Sequence, residues 1–296
     1  MRRRRVILIS FLALLFGLAG YYLLAPAREP YYNGKPYSAY FDGPVHNIPE
    51  SAEATRALGT KALPCLVRWI QYEPSPWKNK LCDTWIKLAR RMRRSGNSPR
   101  YWPDTQLIRA DRALEGFRAL GSNAEPAIPA LARLTTNSSP YTEYRAISAL
   151  SYVGPKALPP LLQLIRSRAR GHQTAIVQLR HLGPAARPAI PVLIECLTDK
   201  NDATVTVAAD VLGELRLEPM QVVPALADAL QHSSPSARMS AVEALRRFGA
   251  QARSAAAALR ETAAHDADFN VRSRATNTLQ RIGLEVQDKA VPNSER

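Results

Sequence analysis

Between Ser51 and Gly283 the apolar and polar positions recur in two helical phases separated by a short corner. With the corner residue as reference, Gly59, Gly121, Gly154, Gly183, Arg216, Gly249 and Gly283 follow one another at intervals of 62, 33, 29, 33, 33 and 34. One position before each corner stand Leu58, Leu120, Val153, Leu182, Leu215, Phe248 and Ile282. Four before it stand Thr55, Phe117, Leu150, Leu179, Leu212, Leu245 and Leu279. Eight before it the column is small throughout: Ser51, Ala113, Ala146, Ala175, Ala208, Ala241 and Ala275. Offsets of three and four mark one face of a helix, and small residues on that face let neighbouring helices approach closely. The spacing therefore predicts a helix, A, before every corner.

Seven positions after the corner come Leu66, Ile128, Leu161, Ile190, Val223 and Ala256, and ten after it Trp69, Leu131, Leu164, Leu193, Leu226 and Leu259. This is a second amphipathic helix, B. The proline pairs Pro126/Pro129, Pro159/Pro160 and Pro188/Pro191 are expected in its first turn, where the backbone N–H groups lack intrahelical acceptors. Arg216 departs from the glycine column, because Gly213 lies three residues too early to form the corner. A helix pair this short cannot bury both apolar faces alone and must stack on the next pair, which predicts an all-α solenoid of about six and a half units.

The helix A ending, A-x-x-A-L-x-x-hydrophobic-G as in Ala241 to Gly249, resembles a HEAT repeat, specifically the short phycobilin-lyase HEAT-like type. The resemblance covers about Pro49 to Gly283. The Thr-Pro-Leu-His phrase of ankyrin and the Trp, Leu-Gly and Tyr pattern of tetratricopeptide repeats are missing. The resemblance implies protein-protein scaffolding or, less often, an enzyme accessory role such as that of a lyase subunit. The motif itself specifies packing and no chemistry.

Ahead of the repeats, Arg2 to Arg5 precede an uncharged run from Val6 to Ala25. About 20 apolar residues span a bilayer. The positive-inside bias keeps the arginines cytoplasmic and sends the rest of the chain to the other side, the periplasm. A signal peptidase can instead read Ala25-Pro26-Ala27 and release the protein, but the run exceeds the usual signal core, so a retained anchor is preferred. The expected organisation is an anchor (1–27), an aromatic-rich leader (28–48), the solenoid (49–283) with an insert at 71–103, and a polar tail (284–296). Tyr31, Tyr32, Tyr37, Tyr40 and Phe41 crowd the leader, suited either to covering the open end of the first unit or to a membrane interface.

Composition narrows the class. The 296 residues include 40 Lys plus Arg against 25 Asp plus Glu, a net charge of +15, with 46% hydrophobic residues and 23 prolines. A core can form, and a mean hydropathy of −0.23 excludes a multi-span membrane protein. Much of the charge lies in the insert: between Arg68 and Arg109 ten basic side chains meet three acidic ones, and all four tryptophans (Trp69, Trp77, Trp85, Trp102) fall there. Trp77, Leu81, Trp85, Leu88 and Met92 repeat at helical spacing. They predict a helix from Trp77 to Arg94 whose outer face carries Lys78, Lys87, Arg90, Arg91, Arg93 and Arg94. Such a stripe is either a lid with solvated arginines or a site for an anionic surface. Nucleic acid is disfavoured by the extracytoplasmic placement.

Twelve positions past each corner the outward ridge of helix B reads Gln71, Arg133, Arg166, Glu195, Asp228 and Glu261, turning from basic to acidic along the chain. A partner protein lying lengthwise would meet this gradient; ordinary solubility decoration is the alternative. No nucleophile elbow, phosphate loop, dinucleotide fingerprint or zinc-protease helix occurs. His46, His172, His181, His232 and His265 lack the local spacing of metal ligands. No cofactor is implied. Of the three cysteines, Cys65 and Cys82 are near enough in sequence to pair in an oxidising compartment, and Cys196 reads as a small helix residue. The expected function is a non-catalytic, membrane-anchored interaction scaffold.

Overall fold

The computed structural model describes residues 29–42, 48–75, 77, 80, 84, 105–136 and 139–283. They fall into two compact units, one ending at Leu120 and the other beginning at Gly121. The expected membrane span and polar tail lie outside the described residues. No described helix is long and apolar enough to cross a membrane.

In the first unit the leader forms a two-residue hairpin, β1 (Tyr31–Tyr32) and β2 (Lys35–Pro36), and a short 3-10 turn at Tyr37–Tyr40. Three helices follow: α1 (Ile48–Leu58), α2 (Leu63–Ile70) and α3 (Thr105–Leu120). Both α1 and α2 pack on α3. Gly116 permits that seating, since a Cβ there would stand 2.6 Å from Leu66 Cδ2. Tyr37 and Phe41 are fully buried, with Tyr37 stacked on Trp69 at a centroid distance of 5.1 Å and Phe41 also 5.1 Å from it. The Tyr37 hydroxyl lies 2.6 Å from Thr55 Oγ1, which itself donates to the Ser51 carbonyl at 2.6 Å. Thr55 thus stands where other repeats carry Leu or Phe because a phenol must be satisfied there.

The second unit contains α4 (Ile128–Leu134), α5 (Pro140–Val153), α6 (Leu158–Ser167), α7 (His172–Gln178), α8 (Ile190–Cys196), α9 (Asp202–Leu215), α10 (Pro219–Ala229), α11 (Pro235–Phe248), α12 (Ala256–His265) and α13 (Phe269–Arg281). Odd-numbered helices are the A helices and pack on one another in order, α5 on α7, α7 on α9, α9 on α11 and α11 on α13. The even-numbered B helices stack as α6 on α8, α8 on α10 and α10 on α12. Each B helix also packs on the following A helix. This is the stacking of an α-solenoid.

Burial follows the columns. Every residue four before a corner is fully buried, as are the alanines eight before it. Ser139, Asn201 and Asp268 cap α5, α9 and α13 by accepting backbone N–H groups. All seven corner residues have positive φ, including Arg216 at 51°. That corner is unusual twice over, because Glu218 is also left-handed at φ 50° and α10 begins at once. At the other five corners that lead into a described B helix a 3-10 segment intervenes. Pro126 and Pro188 lie within such segments, at Gly121–Ala127 and Leu179–Ala189, while Pro129, Pro159, Pro160 and Pro191 stand at the starts of their α-helices. The six prolines are therefore divided between the corner and helix B.

The short interval of 29 has a local explanation. Its A helix, α7, keeps only seven α-helical residues. The chain enters it through Arg168 and Gly171, both left-handed, over the side chains of Glu143 and Ile147. Ala175, Leu179 and Leu182 nonetheless remain buried.

Candidate functional site

All six ridge residues, Gln71, Arg133, Arg166, Glu195, Asp228 and Glu261, are exposed. They stand near the ends of successive B helices, opposite the buried columns. Within the second unit the sign passes from Arg133 and Arg166 to Glu195, Asp228 and Glu261. The corner ends carry further pairs between consecutive units: Lys156 Nζ to Glu125 at 2.6 Å, and Arg187 Nε to Glu218 at 3.0 Å.

Glu261 opens onto a cleft of about 260 Å³ also lined by Leu230, His232, Arg238, His265 and Asp266. Its floor is a half-buried ion pair, with Arg238 Nε and Nη2 donating to Asp266 at 2.7 and 2.8 Å. The Arg238 guanidinium holds the Asp266 carboxyl below the ordinary aspartate range. Arg238 also donates to the His232 and Ser233 carbonyls, and Arg272 to the Asp266 carbonyl, so each arginine ties its helix to the preceding loop. His232 and His265 reach one cleft because they are separated by one repeat length, a relation that a search for local ligand spacing does not detect. Among the described residues no group of His, Cys, Asp or Glu is placed to hold a metal ion.

A second cleft in the same unit, of about 540 Å³, is lined by Gly213, Glu214, Arg216, Arg246, Arg247, Gly249 and Arg281. It continues a ladder of charges along the A helices. Arg180 Nη1 lies 3.3 Å from Glu214, Arg247 Nη1 3.7 Å from the same carboxylate, and Arg247 Nε 3.6 Å from Glu243. Arg246 and Arg274 also pair with Glu243. The Arg246 hydrogen bond and the surrounding guanidiniums lower the Glu243 pKa, whereas burial raises that of Asp210. Arg180 and Arg246 stand three before their corners, a column that also holds Arg56 and Arg118, and Arg247 and Arg281 stand two before theirs.

Of the insert residues expected to bind an anionic partner, Trp77 is exposed, and Trp77, Lys80 and Thr84 are helical. Lys78, Trp85, Lys87, Arg90, Arg91, Arg93 and Arg94 lie outside the described residues. Trp69 belongs to the core instead, beneath Tyr37 and with the Arg109 guanidinium 5.5 Å from its ring centroid. Cys65 and Cys196 are buried free thiols whose pKa values burial raises, so neither is an activated nucleophile. Cys82, the other half of the conceivable pair with Cys65, lies outside the described residues.

The HEAT repeats family matches residues 190–280, from α8 through most of α13. No curated protein sequence matches the chain. Among solved structures, the complex of CpcE and CpcF of phycocyanin lyase from Nostoc sp. PCC7120 is similar at 17% identity and a TM-score of 0.36, covering 86% of this chain and 97% of that one. An engineered protein is similar at 16% identity and a TM-score of 0.33, covering 83% and 87%. The chain thus carries HEAT-like repeats in an all-α stack.

Proposed function

We propose that this protein is a non-catalytic scaffold that binds another protein along the exposed ends of its B helices. One observation carries the reading: the position twelve past the corner is exposed in all six B helices while the position ten past it is buried in all six, so the repeat presents chemically graded side chains at regular intervals. Specific interfaces bury about 800 Å² per partner, more than the clefts described supply and well within the reach of several stacked units. We further propose that residues 6–25 tether the chain to a membrane, with Arg2 to Arg5 cytoplasmic and the repeats on the extracytoplasmic side.

Site-directed photocrosslinking in the native cell tests the scaffold reading. Crosslinkers replacing Arg166, Glu195, Asp228 and Glu261 in turn are expected to trap one and the same protein. A crosslinker at Tyr144, exposed on α5 away from the ridge, is expected not to trap it. Capture of unrelated proteins at each position, or equal capture from Tyr144, would overturn it.

A further inference from the structure

The cleft lined by Arg216, Arg246, Arg247 and Arg281 gathers four guanidiniums around one lining carboxylate, Glu214, at the corner ends of α9, α11 and α13. Two of the four are already engaged. Arg246 is held by Glu243, and Arg247 divides its donors among Glu214, Glu243 and the Asp210 carbonyl at 3.3 Å. Arg216 and Arg281 are exposed and make no ion pair among the described residues.

Cations near helix C-termini complement the macrodipole, which suffices for Arg246 and Arg247. It acts on Arg216, the C-cap of α9, as well, but against a backbone cost that Arg246 and Arg247 do not bear. This residue occupies the left-handed corner (φ 51°, ψ 37°) that is glycine in all six other corners, a conformation unfavourable to a residue with a Cβ. A long cation therefore stands where the backbone alone favours glycine, and its guanidinium lines the cleft beside that of Arg281.

We infer that this cleft binds an extended acidic peptide segment of the scaffold's partner, a proposal that rests on the scaffold reading and adds the chemistry of recognition. Arg216, Arg247 and Arg281 come from three successive units. Packed helices lie roughly 8–10 Å apart, and an extended chain advances about 3.3 Å per residue, so carboxylates at every third position meet successive arginines. Guanidinium forks match carboxylates in geometry and charge. Glu214 in the wall selects against a polyphosphate, which carries charge on every unit, whereas a peptide can set a neutral residue opposite it. An acidic segment here would stand apart from the ridge of Glu195, Asp228 and Glu261, which repels it.

The test is fluorescence anisotropy with the full chain in neutral detergent and a labelled peptide carrying glutamate at every third position. The double variant Arg216→Gly, Arg281→Gln keeps the corner foldable, since glycine is the residue of the other corners, and circular dichroism checks its helix content. The expected result is binding that weakens at least about tenfold in the variant, with tripolyphosphate failing to displace the peptide. A second variant, Arg216→Lys with Arg281→Lys, is expected to bind with intermediate affinity because charge remains without the fork. Unchanged affinity in the double variant, absence of peptide binding, or displacement by tripolyphosphate at equal charge would each overturn the inference. Photocrosslinks from Glu195, Asp228 and Glu261 that persist in the double variant would leave the scaffold reading standing while removing this one.

Discussion

Arg238 and Asp266 show how a single pair links the stability of this stack to pH. Both side chains are half-buried, and the pair joins the loop before α13 to α11. Asp266 has a lower pKa in the folded chain than its unfolded value of about 4, so its contribution is complete above that value and is lost as pH falls through the depressed one. Replacing one partner of such a part-buried, charge-assisted pair strands the other, which costs about 1–3 kcal/mol. Arg238→Ala should therefore lower the unfolding free energy by about that amount in urea titrations at neutral pH. The gap between wild type and variant should narrow at pH values below about 4, where Asp266 is progressively neutralised. A gap that stays constant with pH would show that the arginine acts through packing alone. Thr55 teaches a related lesson, since its apolar column makes it an anomaly in sequence. Only the buried Tyr37 hydroxyl gives it a reason.

At the scale of elements, the regular period makes the helices readable and their close approaches decide how tightly they stack. Gly213 lies within α9 and is buried against α11, where a Cβ would stand 2.7 Å from Ala244 Cα. In sequence it looks like a misplaced corner glycine; in the structure it is a contact residue, and Arg216 forms the corner. Alanine favours a helix over glycine by about 1 kcal/mol, but the contact is with backbone and cannot yield by a rotamer change. Gly213→Ala is expected to destabilise the chain by about 1–2 kcal/mol despite its helix propensity, measured by chemical denaturation. A more stable variant would show that α9 and α11 do not approach as described. The shortened α7 belongs to the same scale: four fewer residues between corners remove about one helical turn and leave the buried face in place.

For the whole molecule, the strongest physical asymmetry lies between residues 6–25 and everything after them. An uncharged run of this length behind four arginines predicts a protein that sediments with membranes and resists extraction by alkaline carbonate. Deleting residues 2–25 should move it to the soluble fraction, and protease added outside the cytoplasmic membrane should reach the repeats of the intact chain. Full protection of the repeats, or no change in fractionation on deletion, would end the tethered reading and leave the scaffold reading untouched. The two clefts and the B-helix ridge all lie on surface-exposed ends of repeated elements. This placement favours recognition over enclosure of a reacting group.

The period, the corners, the buried columns and the outward ridge were determined by the sequence alone, because each depends on helical geometry within one unit and the same pattern is written again in every unit. Leu150, Leu212 and Leu245 declare their burial by where they stand relative to their own corner. The tertiary structure alone decided which polar groups of different units meet. Arg180, Glu214, Arg247 and Glu243 form one ladder, His232 and His265 share one cleft, and Arg216 faces the groove beside Arg281. Such meetings depend on how far one helix pair is shifted and rotated against the next, and no apolar periodicity within a unit records that quantity.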